Sequence, residues 1–238
     1  MLVGHALGVR GEAASAFEIV IQLGALLAVV VHYRRLLGER LAGLARREPR
    51  AWRLLAALMA GFVPTAVVGL AVGKLVKRHL FAPVPVACAL AVGGLAMIAI
   101  EAALRRRPAA RTTIDEVTLV DGAIIGALQC LSLVPGTSRS MCTILGGRLR
   151  GLGAQVAAEF SFLLALPTLG AATLYEGYKD RAALATLGAT PLAIGLAVSF
   201  VVAWIVIAAF LRYLARGGLT PFGIYRLALA AVVLSVGF

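Results

Sequence analysis

Long apolar runs separated by short polar and basic stretches dominate this chain. Seven runs stand out: residues 16–31, 54–72, 83–104, 117–134, 157–175, 191–211 and 221–238. A helix needs about 20 consecutive apolar residues to cross the hydrocarbon core of a bilayer. Most of these runs reach or approach that length. None alternates apolar and polar positions with a period of two, which argues against a membrane β-barrel. Backbone polar groups have no water to bond inside lipid, so closed helices are the remaining solution. The pattern therefore predicts an all-α polytopic membrane protein of about six transmembrane helices. It forms a single integral membrane domain over residues 1–238.

The run at 117–134 is short and ends in Pro135-Gly136. Proline cannot continue a helix, and glycine lets the chain turn. The next stretch carries Arg148, Arg150 and several glycines. This predicts a broken or re-entrant element. Irregular backbone at membrane depth is tolerated where protein buries it or where it lines a wet cavity.

A faint internal repeat is also visible. Residues 13–17 resemble 157–160, each opening an apolar helix, and 65–72 resemble 191–198. The repeat predicts two halves, about 1–110 and about 115–238, of the inverted kind found in many membrane proteins that handle polar substrates.

Composition agrees with the pattern. Of the 238 residues, 61% are hydrophobic and 14% charged, against about 25% charged in soluble domains. The net charge of +12 raises nucleic acid as a partner, but its distribution excludes that reading. Arg34, Arg35, Arg40, Arg46, Arg47, Arg50 and Arg53 form one basic cluster between runs, and Arg105, Arg106, Arg107 and Arg111 form another. Such clusters mark cytoplasmic loops, and no basic patch is interleaved with aromatics. The chain is expected to be a multi-pass protein of the inner (plasma) membrane. The three cysteines, Cys88, Cys130 and Cys142, show no paired spacing and read as small apolar fillers.

The densest chemistry lies at Pro135-Gly136-Thr137-Ser138-Arg139-Ser140, where three hydroxyls and a guanidinium interrupt an apolar chain. Gly136 allows a turn with exposed amides, and Ser138 or Ser140 can cap the next helix, whose N-terminus attracts anions. The Arg139 fork matches two phosphate oxygens. Gly136, Thr137, Ser138, Arg139 and Ser140 form a candidate phosphate cradle. The alternative is a polar turn between two membrane helices, with Arg139 reaching for the headgroups. Glu18 and Gln22 share a helix face, and Glu159 also sits near a helix start. These three are candidate supporting residues, although Glu18 could simply face headgroups. Glu101 precedes Arg105 by four residues and reads as a helix-end ion pair. His5, His32 and His79 read as interfacial.

Residues 121–134 and the turn at 135–140 resemble the second signature of the bacterial undecaprenyl-diphosphate phosphatases, the bacitracin-resistance type. So do residues 158–167, which include Glu159 and Phe160, residues 17–24, and the closing pair Tyr225-Arg226. The resemblance is collinear along the chain. It implies hydrolysis of undecaprenyl diphosphate to undecaprenyl phosphate and inorganic phosphate, which recycles the lipid carrier for cell-wall synthesis and confers bacitracin resistance. It implies that Arg139 and Ser138 are catalytic and that the hydroxyls around them bind the diphosphate. It also implies a divalent metal, Mg or Ca. The expected partners are the polyprenyl diphosphate lipid, the membrane and a second copy of the chain in a homodimer.

The family's first signature is a Glu/Gln-x-x-x-Glu pair and then a Ser-Ser-Thr-Gly-His-like stretch, and it has no counterpart here. Residues 1–8 resemble the segment immediately after that histidine, so His5 is not read as the catalytic one. No metal ligands are expected in this chain, and it is expected to be inactive or nearly so unless an upstream segment precedes Met1. Two other functions compete. A broken helix, a buried arginine and a repeat also suit a transporter or a polyprenyl-phosphate flippase. The acid-phosphatase-like membrane class needs a histidine after Ser138-Arg139, and the sequence has none there.

Overall fold

The computed structural model describes residues 12–80, 82–104, 110–179, 181–182 and 188–236, without the side chains of 12–18, 74, 77, 79 and 236. Its elements in chain order are α1 (Glu12–His32), α2 (Arg34–Ala45), α3 (Pro49–His79) and α4 (Pro83–Leu104). Then come a 3-10 turn (Ile114–Glu116), α5 (Leu119–Gln129) and a second 3-10 turn (Cys130–Leu133). The chain closes with α6 (Arg139–Leu149), α7 (Ala154–Lys179), α8 (Ala189–Leu214) and α9 (Thr220–Val236). Among the described residues there is no strand, only an isolated β-bridge between Arg111 and Leu152.

Four of these helices are long and apolar enough to cross a membrane: Pro49–Gly73, Pro83–Leu104, Ala154–Lys179 and Ala189–Leu214. A fifth candidate is the pair Ile19–His32 and Arg34–Ala45, bent by 74°. Leu119–Leu133 and Thr220–Ser235 are shorter apolar helices. Each of the seven apolar runs thus holds a helix, but two of these helices are short and the first belongs to the bent pair. One basic stretch also differs from expectation. Arg34–Ala45 forms a helix where its arginines suggest a loop, because its leucines recur at helical spacing among them.

The apolar faces point outward as well as inward. On α3, Val63, Val67 and Leu70 stand at i, i+4 and i+7 and are 51%, 61% and 83% exposed. On α8, Val201, Val202, Trp204, Ile205 and Val206 are all exposed. Contiguous exposed apolar surface of this extent is costly in water and natural in lipid. The protein is a multi-helix membrane protein.

The chain divides into two compact units, one from Met1–Glu39 and Ala165–Phe210, the other from Arg40–Leu164 and Leu211–Phe238. In the first, Thr173 Oγ1 donates to Gln22 Oε1 at 3.0 Å, a polar tie between two apolar helices. The second unit holds the polar turn. There α3 packs along α5, α4 packs along α9, and α6 touches both α5 and α4. Phe160, Ile125, Leu152, Leu163, Leu164 and Leu219 are among its fully buried large apolar side chains.

The α3–α5 contact explains a glycine pair. A Cβ at Gly122 would run into the backbone of Ala57, and one at Gly126 into the backbone of Gly61. Glycines four apart let two membrane helices approach backbone to backbone, where van der Waals contact drives association. Thr65 Oγ1 then reaches the Gly126 carbonyl at 3.2 Å, and Gln129 Nε2 donates to Thr65 Oγ1 at 2.8 Å.

The start of α5 is fixed by charge. Thr118 caps it, accepting from the Asp121 amide at 3.2 Å, while Asp121 Oδ2 accepts from the Thr118 amide at 2.9 Å. This reciprocal arrangement satisfies donors that a helix start leaves open. Asp121 is fully buried, and the guanidiniums of Arg111 and Arg150 both hold it, Arg150 Nε at 2.9 Å. Arg111 also donates to the Arg150 carbonyl. Its own backbone lies against the strand-like piece after α6: its amide donates to Gly151 at 3.3 Å, and its carbonyl accepts from Gly153 at 2.8 Å. A carboxylate buried without such partners would be strongly destabilising.

Candidate active site

Three features break the backbone between α5 and α6. The helix tightens into the 3-10 turn at Cys130–Leu133, Pro135 comes next, and Gly136 adopts φ +91°. A Cβ at Gly136 would lie 2.5 Å from the Val86 carbonyl oxygen, so neither the angle nor the space suits another residue. The break expected at this position is therefore present.

Ser138 is the N-cap of α6 and holds φ +68°, ψ 116°. A left-handed φ in a non-glycine residue is uncommon, and such strain persists only where surrounding contacts over-determine it. The Ser138 hydroxyl accepts from the Met141 amide at 3.4 Å, and its carbonyl accepts from the Cys142 amide at 3.2 Å. The serine is exposed. Thr137 donates its amide to the Val134 carbonyl at 3.1 Å, which tightens the turn from the other side.

Arg139 opens α6. Its Nη1 donates to the Ser161 carbonyl on α7 at 3.1 Å. That bond uses one of five N–H donors on a planar fork, and it fixes the direction in which the rest of the fork points. A hydroxyl pair also ties the same two helices together. Thr143 Oγ1 and Ser161 Oγ share a hydrogen bond at 2.6 Å, and Thr143 Oγ1 donates back to the Arg139 carbonyl at 3.0 Å. Thr143 and Ser161 are almost fully buried. Buried hydroxyls that satisfy one another specify one arrangement of the helices carrying them.

A second guanidinium pins the turn. Arg226 on α9 donates from Nη2 to the Gly136 carbonyl at 2.7 Å and to the Ala89 carbonyl on α4 at 3.2 Å. Arg226 is 8% exposed, and its Nε is buried with no hydrogen-bond partner among the described residues. Gly93 makes room for it, since a Cβ there would lie 2.6 Å from Arg226 Nη2. Gly136, Ser138, Arg139, Thr143, Ser161 and Arg226 thus form one polar assembly in an apolar surround. It presents a guanidinium fork, hydroxyls and the N-terminus of an 11-residue helix, a combination that attracts an anion.

A family model described as Bacitracin resistance protein BacA matches residues 1–232. The chain belongs to this family. Among curated relatives, the undecaprenyl-diphosphatase of Sorangium cellulosum is 54% identical over 98% of this chain and 77% of its own length. Undecaprenyl-diphosphatase 2 of Rhodospirillum rubrum is 47% identical over 93% of this chain and 80% of its own. The undecaprenyl-diphosphatase of Thermoanaerobacter pseudethanolicus is 42% identical over 98% of this chain and 86% of its own.

The other candidates from the sequence lie elsewhere or outside the described residues. Glu159 accepts from Gln155 Nε2 at 3.3 Å, one turn earlier in α7, two residues from the Ser161 that anchors Arg139. Gln22 is bonded to Thr173 in the other compact unit. The side chain of Glu18, the whole of His5 and the side chain of His79 lie outside the described residues. Glu101 lies 4.0 Å from Arg148 Nε, while Arg105, its expected partner, lies outside the described residues. No sequence motif singles out Thr143 or Arg226 by itself. Arg226 stands in the closing pair of the resemblance, and Ser161 stands inside its 158–167 block.

The implied divalent metal can be tested against the donors present. Mg and Ca prefer carboxylate and carbonyl oxygens. Among the described residues, no group of three or more His, Cys, Asp or Glu side chains could hold a metal ion. The buried carboxylate of Asp121 is already engaged by two guanidiniums. The described residues do not fit the metal.

Proposed function

We infer that this membrane protein hydrolyses undecaprenyl diphosphate to undecaprenyl phosphate and inorganic phosphate. The lipid carrier is thereby returned to cell-wall precursor synthesis, and the activity carries bacitracin resistance with it. The observation behind this reading is the polar assembly at 135–140 in a chain of the BacA family whose relatives are named undecaprenyl-diphosphatases. The reaction breaks one phosphoanhydride P–O bond. Oxygen from water ends on the released phosphate, and the lipid monophosphate leaves. Charge on the transferring phosphoryl oxygens must be neutralised along the way, and fixed donors in a low-dielectric site do this well.

Within that reading, Arg139 is assigned to the phosphoryl oxygens and Ser138 to the reacting centre. Both are proposed as catalytic. Gly136, Thr137 and Ser140 complete the phosphate cradle with backbone amides and hydroxyls. Glu159, Glu18 and Gln22 are carried as supporting residues. Mg or Ca is implied by the family resemblance alone, and the described residues do not supply its ligands. The plasma membrane is the proposed location, with the polyprenyl diphosphate lipid as partner. A homodimer is carried as an expectation, and no nucleic-acid partner is proposed.

The test is phosphate release from undecaprenyl diphosphate by the purified protein in detergent, as the chain starting at Met1 and as a version extended upstream of it, tracked against time and protein concentration. Multiple turnovers support the reading. Polyprenyl phosphate crossing proteoliposome bilayers without any phosphate release would favour the transporter or flippase instead.

A further inference from the structure

We propose that an apolar groove beside the 135–140 turn holds the head-proximal isoprene units of the polyprenyl diphosphate. That part of the tail then lies between α4 and α6 while the diphosphate sits at the turn. This rests on the hydrolase reading above and adds to it the place where the lipid chain is held.

The groove has a volume of about 500 Å³. Its α4 wall carries Val92, Ala96 and Ile100, and its α6 wall carries Leu145 and Leu149. Each set recurs every four residues, so each is a single stripe along its helix. Ala96 is the small member of its stripe. The α4 side runs from Pro85 to Ile100, roughly 22 Å at 1.5 Å per residue. Among the described residues its lining is almost wholly apolar and carries no charged side chain. A path for ions or a water-filled cavity would need polar walls, so the shape calls for a long, narrow, apolar occupant.

What identifies the occupant is where the groove meets the turn. Thr137 and Met141 begin its α6 side, and Gly136 lies against Val86, beside the Pro85 end of its α4 side. Thr137 belongs to the turn itself, and the Met141 amide is the one capped by Ser138. A molecule filling the groove therefore has its end at the phosphate cradle. An amphiphile with one anionic diphosphate head and one long chain fits this geometry. A diacyl lipid brings two chains, and a water-soluble diphosphate brings none. Lipid tails are as apolar as leucine, so the bilayer itself does not drive a chain into the groove. The groove acts by shape and by registering the head against the turn.

The chain carries its own reporter. Cys88 is exposed and lines the groove, whereas Cys142, also on its wall, is buried. The experiment measures modification of Cys88 by an apolar maleimide, read by peptide mass spectrometry on the full-length protein in detergent micelles. Three additions are compared: undecaprenyl phosphate, inorganic diphosphate and dioleoyl phosphatidylglycerol. Undecaprenyl phosphate is expected to slow the reaction roughly threefold or more, the retardation that occupancy of most sites gives, and the other two are expected to leave it unchanged. Ala96→Trp fills the groove and is expected to abolish that protection. It should also raise KM for undecaprenyl diphosphate by roughly tenfold, with a smaller effect on kcat, as loss of pocket space does elsewhere. Should Cys88 prove too slow, Val92→Cys, at a 67% exposed position on the same wall, gives the same readout.

Equal protection by phosphatidylglycerol would overturn the proposal, making the groove an ordinary lipid furrow. Protection by inorganic diphosphate alone, or by none of the three, would overturn it as well. The readout is binding, not turnover. Protection by undecaprenyl phosphate without any phosphate release would therefore uphold the groove and refute the hydrolase reading.

Discussion

Replacing Arg226 with methionine should impair turnover strongly although this residue lies on the last helix, 90 positions from Gly136. Methionine keeps the apolar stem and removes both bonds to backbone carbonyls. The Ala89 carbonyl is in mid-helix and retains its acceptor role in α4, so the loss falls on Gly136. A hydrogen bond from a charged donor contributes about 1.5–3 kcal/mol, and a buried carbonyl left unpaired costs a similar amount. These are two descriptions of one event and are not added. Taking about 2–3 kcal/mol, the equilibrium constant for the pinned turn falls by roughly 30- to 150-fold at 1.36 kcal/mol per tenfold, and turnover falls by up to that factor where the pinned turn is marginally stable. The assay is kcat/KM for phosphate release, beside the thermal unfolding midpoint in the same detergent. Arg226→Lys retains a cation and one reach to Gly136, and should fall between the wild type and methionine. If Arg226→Met is folded and keeps kcat/KM within about threefold, less than a 1 kcal/mol effect, the pinning argument is wrong.

The same contacts predict three further outcomes. Asp121→Ala leaves the Arg111 and Arg150 guanidiniums facing each other without their shared carboxylate; it should lower stability by about 3–5 kcal/mol, and an unchanged unfolding midpoint would refute that role. Gly126→Leu should prise α3 from α5 and lower the midpoint or abolish folding, while Gly73→Ala, where a Cβ meets nothing within 4 Å among the described residues, should be neutral or stabilise by about 0.5–1 kcal/mol; equal effects would show that close approach is not what Gly126 provides. Ser138→Ala loses the helix cap and should cost about 0.5–2 kcal/mol of stability, with a larger loss of turnover if its hydroxyl acts at the reacting centre; stability loss with turnover intact would reduce Ser138 to a cap.

Hydropathy made the apolar helices legible because lipid imposes a strong, simple demand on composition. The break was legible too, since Pro135 and Gly136 have few other uses in an apolar chain. Reading Arg34–Ala45 as a loop weighs its arginines and overlooks the spacing of its leucines. The polar contacts are harder to see for a different reason. Sequence shows that Arg139 and three hydroxyls are neighbours along the chain, but not that Ser161 anchors the guanidinium or that Arg226 reaches Gly136. Those pairings are set by which helices pack, and the contacts of α4 with α9 and of α6 with α7 join residues far apart in sequence. Arg111, Asp121 and Arg150 are likewise scattered along the chain, and nothing in their flanking residues announces that they share one buried carboxylate.

In the proposed hydrolysis the Arg139 fork, aimed by Ser161, neutralises the phosphoryl oxygens. Arg139→Lys tests it most directly, because lysine keeps the charge and loses the planar pair of donors. The measurement is kcat for phosphate release from undecaprenyl diphosphate by the folded variant beside the wild type. Loss of a well-placed transition-state donor predicts a fall of about 10²–10³-fold. A variant that folds and turns over within about threefold of wild type, less than a 1 kcal/mol effect, would contradict the account.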